Sequence, residues 1–398
     1  MPLFKFSTGT LCSLFALLLL SSQQTAAGQT APQAASPQPP PDRWNFIGDS
    51  PDNPPPLATD LSANLKVKDV DRAMRKVANW QLQRVQGHFN EDWTFAAMDA
   101  GFMVASKSLK EPSYENYVRA VGENFQWRLG PRQTHADDQA IGQSYLEIYM
   151  GLKTHDARII TPLRQQFDQV MTLPDDPAKP FWWWCDALFM APPVWARLYQ
   201  ATGEKRYLDY MDHEWWITSK LLYDPAEHLY FRDATYFDKR EKNGAKIFWS
   251  RGNGWVMAGL ARVLAAMPQD YPDRSKFVQQ FKEMSARVIQ LQQTDGLWRP
   301  GLLDPGAYPL PEVSGSAFLV YALAWGVNHG ILDRTTYMPA IEKGWKGLIA
   351  HIYADGRLGC IQPVGAAPGA FQADSSYVYG VGAFLLAGSE VRSLHVRN

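Results

Sequence analysis

The stretch PEVSGSAFLVYALAWG, Pro311 to Gly326, opens on polar and glycine-bearing residues and then turns small and apolar. A helix with so little polar surface has to be enclosed by other helices. The neighbouring stretch RSKFVQQFKEMSARVIQLQQ, Arg274 to Gln293, is amphipathic, with one charged face. This contrast recurs along the chain. Helical segments are predicted near 68–86, 93–107, 113–127, 138–151, 156–170, 186–200, 205–220, 254–267, 273–292, 314–329, 335–351 and 376–388. Every second one opens polar and then becomes apolar: EDWTFAAMDAGF, HADDQAIGQSYL, WWWCDALFMAPP, WSRGNGWVMAGL, PEVSGSAFLVYA and ADSSYVYGVGAF. Within one of them, Val256, Leu260, Val263, Leu264 and Met267 fall on a single helical face.

Gly and Ala let helices approach closely, as an inner ring requires, and the amphipathic segments suit an outer ring. The pattern predicts an all-α fold, an (α/α)6 barrel or six-hairpin toroid, over residues 58–398. An α-solenoid is the competing architecture, but its repeats share a consensus that these openings lack. Strand-like alternation is scarce; HLYFRDATY, His228 to Tyr236, reads as a hairpin arm or an ordered loop.

Two stretches at the front stand apart. Lys5, the apolar run Leu11 to Leu20 and the small residues Thr25 to Gly28 have the layout of a secretory signal peptide, assigned to residues 1–27. The run is short for a permanent membrane anchor. The expected location is therefore periplasmic or secreted, with no membrane association after cleavage. Residues 28–57 are rich in Pro, Gln, Ala and Ser and read as an extended linker.

Net charge is −1, which gives no footing for nucleic acid. The His and Cys residues show no metal-ligand spacing, and no nucleotide loop or G-x-S-x-G motif is present, so neither a metal nor a cofactor is expected. Cys185 and Cys360 read as free, packed thiols. Aromatic residues make up 13% of the chain, and their rings offer stacking faces for sugars as well as core material.

In a toroid the inner helices run in one direction, so the polar openings gather around one mouth. Three carboxylates belong to that group: Asp137 and Asp138 in HADD, and Asp186 in FWWWCDALFM. Each reads either as a helix cap or as an acid–base group. Trp182 to Trp184 would exclude water around Asp186 and raise its pKa. Arg251, in WSRGNGW between Trp249 and Trp255, reads either as a clamp for a substrate carboxylate or as a structural cation–π stack. Glu312 and Ser314 read as a cap and its partner.

The set FWWWCDALFM, WSRGNGW and PEVSGSAFLVYALAWGVNHGIL resembles glycoside hydrolase family 105, the unsaturated rhamnogalacturonyl hydrolases, related to the unsaturated glucuronyl hydrolases of family 88. The resemblance implies an (α/α)6 barrel and a substrate oligosaccharide ending in a 4,5-unsaturated uronic acid. It implies that Asp186 is the general acid and base that hydrates the C4=C5 bond. Asp137 matches the second family carboxylate, with Asp138 one residue away. Trp184, Trp249, Arg251 and Trp255 match substrate-contact positions. The chain departs from the family at two positions that often hold His, where it has Asp175 and Arg232. Arg232 is read as an added cation for a uronate or sulfate. Other readings are a polysaccharide lyase or sugar epimerase on the same toroid, which would want a Tyr or His base, and a carbohydrate-binding protein, which would have no need of Asp186.

Overall fold

The computed structural model describes residues 47–174 and 176–394. The signal peptide, most of the linker and Asp175 lie outside the described residues. The chain begins with a short strand β1 (Gly48–Asp49) and continues through α1 (Val67–Val85), α2 (Trp93–Leu109) and α3 (Pro112–Asn124). A single-turn α4 (Ala136–Gln139) precedes α5 (Gly142–Gly151) and α6 (Ala157–Val170). A second single turn, α7 (Ala187–Met190), precedes α8 (Pro192–Thr202) and α9 (Lys205–Leu222). Strands β2 (Tyr223–Asp224) and β3 (Leu229–Tyr230) form a small hairpin. Then come α10 (Ser250–Ala266), α11 (Arg274–Gln290), α12 (Val313–Asn328) and α13 (Arg334–Ile349). Strand β4 (Ser376–Tyr377) leads into α14 (Val378–Ser393).

Six helices form a closed inner ring. α2 packs on α5, α5 on α8, α8 on α10, α10 on α12, α12 on α14, and α14 returns to α2. α1, α3, α6, α9, α11 and α13 pack around them. Burial follows this division. Every residue of α10 except Ala265 is buried, whereas α6 buries only the stripe Ile159, Ile160, Leu163, Phe167 and Val170. The predicted alternation of inner and outer helices is thus the observed one. Two inner segments differ from the expectation of one continuous helix, because α4 and α7 are separate turns. Pro192 and Pro193 break the second of these, since proline cannot extend the hydrogen-bond ladder of the preceding turn.

Small residues set the spacing of the ring. A Cβ on Gly101 of α2 would lie 2.6 Å from the Cα of Gly382 on α14, and one on Gly382 would lie 2.1 Å from the Ala97 carbonyl oxygen. The N-termini of the inner helices meet at one end. Trp93 of α2 stacks on Tyr379 of α14, Arg251 of α10 lies over the same Tyr379 ring, and His135 ahead of α4 packs on Trp184 ahead of α7.

The linker reading extends too far. Gly48 and Asp49 pair antiparallel with Tyr377 and Ser376, and Leu57 bridges Tyr353. Asp49 is held by Arg84 and Arg357. This stretch has no core of its own. It is fixed by strand pairing and by two guanidinium groups on one carboxylate, interactions that a composition-based reading does not see.

Gly382→Val is expected to lower stability by about 3 kcal/mol or more, because backbone on both sides prevents relaxation. Gly151→Ala, where a Cβ meets nothing within 4 Å, is expected to be neutral or mildly stabilising. Urea unfolding of both variants checks this.

Candidate active site

The three tryptophans before Asp186 take different places. Trp182 is in the core, its carbonyl accepting from the Thr218 hydroxyl at 2.8 Å. Trp183 is 47% exposed. Trp184 is buried against the His135 ring, with centroids 4.7 Å apart. Cys185 N–H donates to the Arg232 carbonyl at 2.8 Å, which ties this turn to the arm after β3.

Asp186 occupies the N-cap position of α7, yet its side chain makes no capping hydrogen bond. A buried carboxylate at a helix start ordinarily takes those N–H groups. Here the buried carboxyl accepts instead from the Cys185 thiol, with Sγ 3.5 Å from Oδ2. Arg232 Nε lies 3.6 Å from its Oδ2. Burial pushes the Asp186 pKa up, and the charges of Arg232 and Arg251 draw it part of the way back.

HADD resolves into two unlike aspartates. Asp138 accepts from the Arg132 backbone N–H at 2.7 Å and from its guanidinium, with Nε at 3.0 Å. It pins the loop at 130–138. Asp137 has no such clamp. Burial acts first on it, then the negative charges of Asp186 and Asp92, and its pKa is raised to about 7. His135 Nδ1 is 3.8 Å from Asp137 Oδ2. Burial and Arg132 lower the His135 pKa, which keeps the imidazole neutral near pH 7. The two thus differ: Asp138 is a loop clamp, and Asp137 is the carboxyl on which the Asp186 charge acts.

Arg251 differs from the expectation of a clamp open to substrate. It is fully buried, with its guanidinium 4.3 Å from the Trp249 ring and 4.9 Å from the Tyr379 ring. Nη1 donates to the Gln362 carbonyl and Nη2 to the Pro363 carbonyl at 2.8 Å. The fork that would match a carboxylate is already occupied by backbone. Its charge still reaches Asp186. Trp249 donates to Gln362 Oε1 at 3.0 Å. Trp255 is not the second ring of the sandwich; it packs in the interior on Trp93, Phe189 and Phe318. Glu312 is a buried cap, accepting from Ser314 and Gly315 N–H.

Arg232, where the chain departs from the family pattern, lies beside Asp186. Nη1 donates to Asp233 at 2.7 Å and the guanidinium lies 5.4 Å from the Trp183 ring. Sequence reading missed His135, Asp233, Tyr379 and Gln362. His135 stands in the quoted HADD motif, so proximity to the acids was an available signal. Gln362 sits in a loop without any pattern and gave none. Among the described residues no group of three His, Cys, Asp or Glu is placed to hold a metal ion.

Residues 66–395 match the model of Glycosyl Hydrolase Family 88. The chain belongs to glycosyl hydrolase family 88. An "Unsaturated 3S-rhamnoglycuronyl hydrolase" of Formosa agariphila is 40% identical over 83% of this chain and 92% of its own length. Among solved structures, a family 88 hydrolase from Bacteroides vulgatus superposes with TM-score 0.77 at 31% identity, over 82% of this chain and 99% of that one. A structure called a polysaccharide lyase gives TM-score 0.78 at 33% identity, over 83% and 98%. This family 88 member is a glycoside hydrolase of the unsaturated uronyl hydrolase kind and acts on an oligosaccharide.

Asp137 has a folded-state pKa above its ordinary 3.8. The folded protein thus holds that proton more tightly, and stability falls as pH rises from about 4 to about 7. Asp137→Asn removes the ionisation. It is expected to be more stable than wild type above pH 7, by at most about 4 kcal/mol, with the gap closing below about pH 4. Asp138→Asn is expected to lose about 1–3 kcal/mol by weakening the Arg132 clamp. Thermal melts across pH check both.

Proposed function

We propose that Asp186 hydrates the C4=C5 double bond of a 4,5-unsaturated uronic acid at the non-reducing end of the substrate. The observation that carries this is the carboxyl of Asp186: buried, raised in pKa, free of capping bonds and electrostatically coupled to Asp137. The C4=C5 bond is an enol ether. A proton delivered from Asp186 to C4 leaves positive charge on C5, shared with the ring oxygen. Water adds at C5 and returns its proton to the Asp186 carboxylate. The hemiketal opens, and the bond to the neighbouring sugar breaks with it.

Asp137 is the second carboxylate of this scheme. Burial, helped by the Asp186 charge, raises its pKa to about 7, so Asp137 holds its proton close to neutral pH, while burial is what raises the Asp186 pKa. The exposed Trp183, backed by buried Trp184, offers a ring face to the substrate, and Arg232 offers a cation to a carboxylate or sulfate. Buried Arg251 acts by charge and by holding Trp249 and the Gln362–Pro363 backbone. Trp249 and Trp255 shape the floor beneath the mouth. The Formosa relative supports a substrate in which an unsaturated uronyl unit is joined to rhamnose. The leader supports action outside the cytoplasm.

The test follows the ultraviolet absorbance of the conjugated C4=C5 bond in lyase-generated oligosaccharides. Wild type is expected to remove it and Asp186→Asn to leave it. An increase on intact polymer would mark a lyase, and no change with any unsaturated substrate would overturn the reading. A general acid works only while protonated, so kcat/KM is expected to fall as pH rises through the pKa of Asp186. Arg232→Gln takes away a charge that draws the Asp186 pKa down, and is expected to move the fall to higher pH. A pH–rate profile of the variant checks the direction.

A further inference from the structure

Asp186 is carried on a helix of one turn whose C-terminal side runs into Pro192 and Pro193. In an unbroken helix the N–H groups of residues 192 and 193 would bond to the carbonyls of Leu188 and Phe189. Proline has no N–H, so both carbonyls lose those partners. The Leu188 carbonyl lies against Gly259 of α10, where a Cβ would come within 2.2 Å of it. The Phe189 carbonyl is met from another helix: Gln143 of α5 donates Nε2 to it at 2.8 Å. Phe189 N–H in turn donates to the Asp186 carbonyl at 3.0 Å. The residue whose carbonyl Gln143 holds is thus bonded, through its own N–H, to the residue that bears the acid.

The orientation of Gln143 is itself fixed. It is 1% exposed, and its Oε1 accepts from Arg262 Nε at 2.6 Å. A guanidinium only donates, so the amide oxygen must face Arg262 and the amide nitrogen must face Phe189. Arg262, 2% exposed, donates Nη2 to Glu147 Oε1 at 2.6 Å, and Arg197 Nε donates to the same oxygen at 3.0 Å. The two guanidinium groups hold Glu147 ionised against its burial.

We infer that Gln143, oriented by Arg262 and Glu147, is a positioning residue that sets the tilt of α7 and thereby the direction in which Asp186 delivers its proton. The inference rests on the reading of Asp186 as the acid. Gln143 touches no reacting atom; it acts through the Phe189 carbonyl. Its loss is expected to change the chemical step more than binding, since small misplacement of a catalytic group has large rate effects.

The experiment compares Gln143→Met, which keeps length and burial but neither donates nor accepts as an amide does, with Gln143→Glu, which keeps the bond from Arg262 and loses the donor to Phe189. Arg262→Lys keeps the charge and loses the paired donors. Gln280→Met is the control: Gln280 is likewise buried and accepts from Trp215 Nε1 at 3.0 Å, on the outer layer. Expected for the Gln143 and Arg262 variants is a fall in kcat of about 10- to 100-fold with KM within about threefold, a displaced basic limb of the kcat–pH profile, and faster hydrogen exchange of amides 187–191. Gln280→Met is expected to lower the melting temperature with none of these. Unchanged α7 exchange and a kcat within about twofold of wild type in Gln143→Met would overturn the inference. Exchange needs no substrate. If wild type consumes no unsaturated oligosaccharide, the proposed reaction fails, and α7 exchange still decides whether Gln143 holds the turn.

Discussion

How near α2 can come to α14 depends on two glycines, and the ring closes only if they meet. At Gly101 and Gly382 the two backbones are separated by less than a side chain would need. That contact joins the first inner helix to the last. Everything at the mouth follows from it, because a closed ring of alternating hairpins forces all six inner helices to run the same way. Trp93 and Tyr379, far apart in sequence, then stack at the rim. The Arg251 guanidinium rests on the same Tyr379 ring.

Parallel inner helices also impose a polarity. Their N-terminal ends favour negative charge and their C-terminal ends positive charge. Asp92 and Glu312 answer the first demand as ordinary caps on α2 and α12. Toward the other end, Arg197 and Arg262 share Glu147, which leaves a net positive cluster where helix carbonyls converge. Asp137 and Asp186 stand against this order. A helix start should lower their pKa values, yet burial raises both, and the Asp186 charge raises Asp137 further. Where desolvation outweighs the helix field, a carboxyl can keep its proton near neutrality, which is the property proton delivery needs.

The fold was legible because enclosure leaves a strong mark: α10 and α12 are short of polar surface and α6 and α11 are not. Segment identity alone did not foresee the breaks at α4 and α7, although Pro192 and Pro193 were visible. The site was legible where a residue's type carries chemistry. Asp186 lies beside Arg232, and its charge reaches Asp137. Reading failed where the outcome depended on which partner arrives first. Arg251 looked open to a ligand until the Gln362 and Pro363 carbonyls, from a loop without periodicity, took its fork. Asp138 could not be told from Asp137 until Arg132 folded back on one of them. Such choices are made by tertiary contacts between residues that local sequence does not relate.

The pairing of β1 with β4 bears on how the molecule comes apart. An open stack of helical hairpins can fray from either end, repeat by repeat, because each end unit has only one neighbour. Here every inner helix has two neighbours, and the first strand is bonded to the residues that start the last helix. Asp49, gripped by Arg84 from α1 and Arg357 from beyond α13, sews the same seam. The toroid therefore has no end unit at which to begin, and its hairpins lose their structure together as one cooperative transition rather than in sequence.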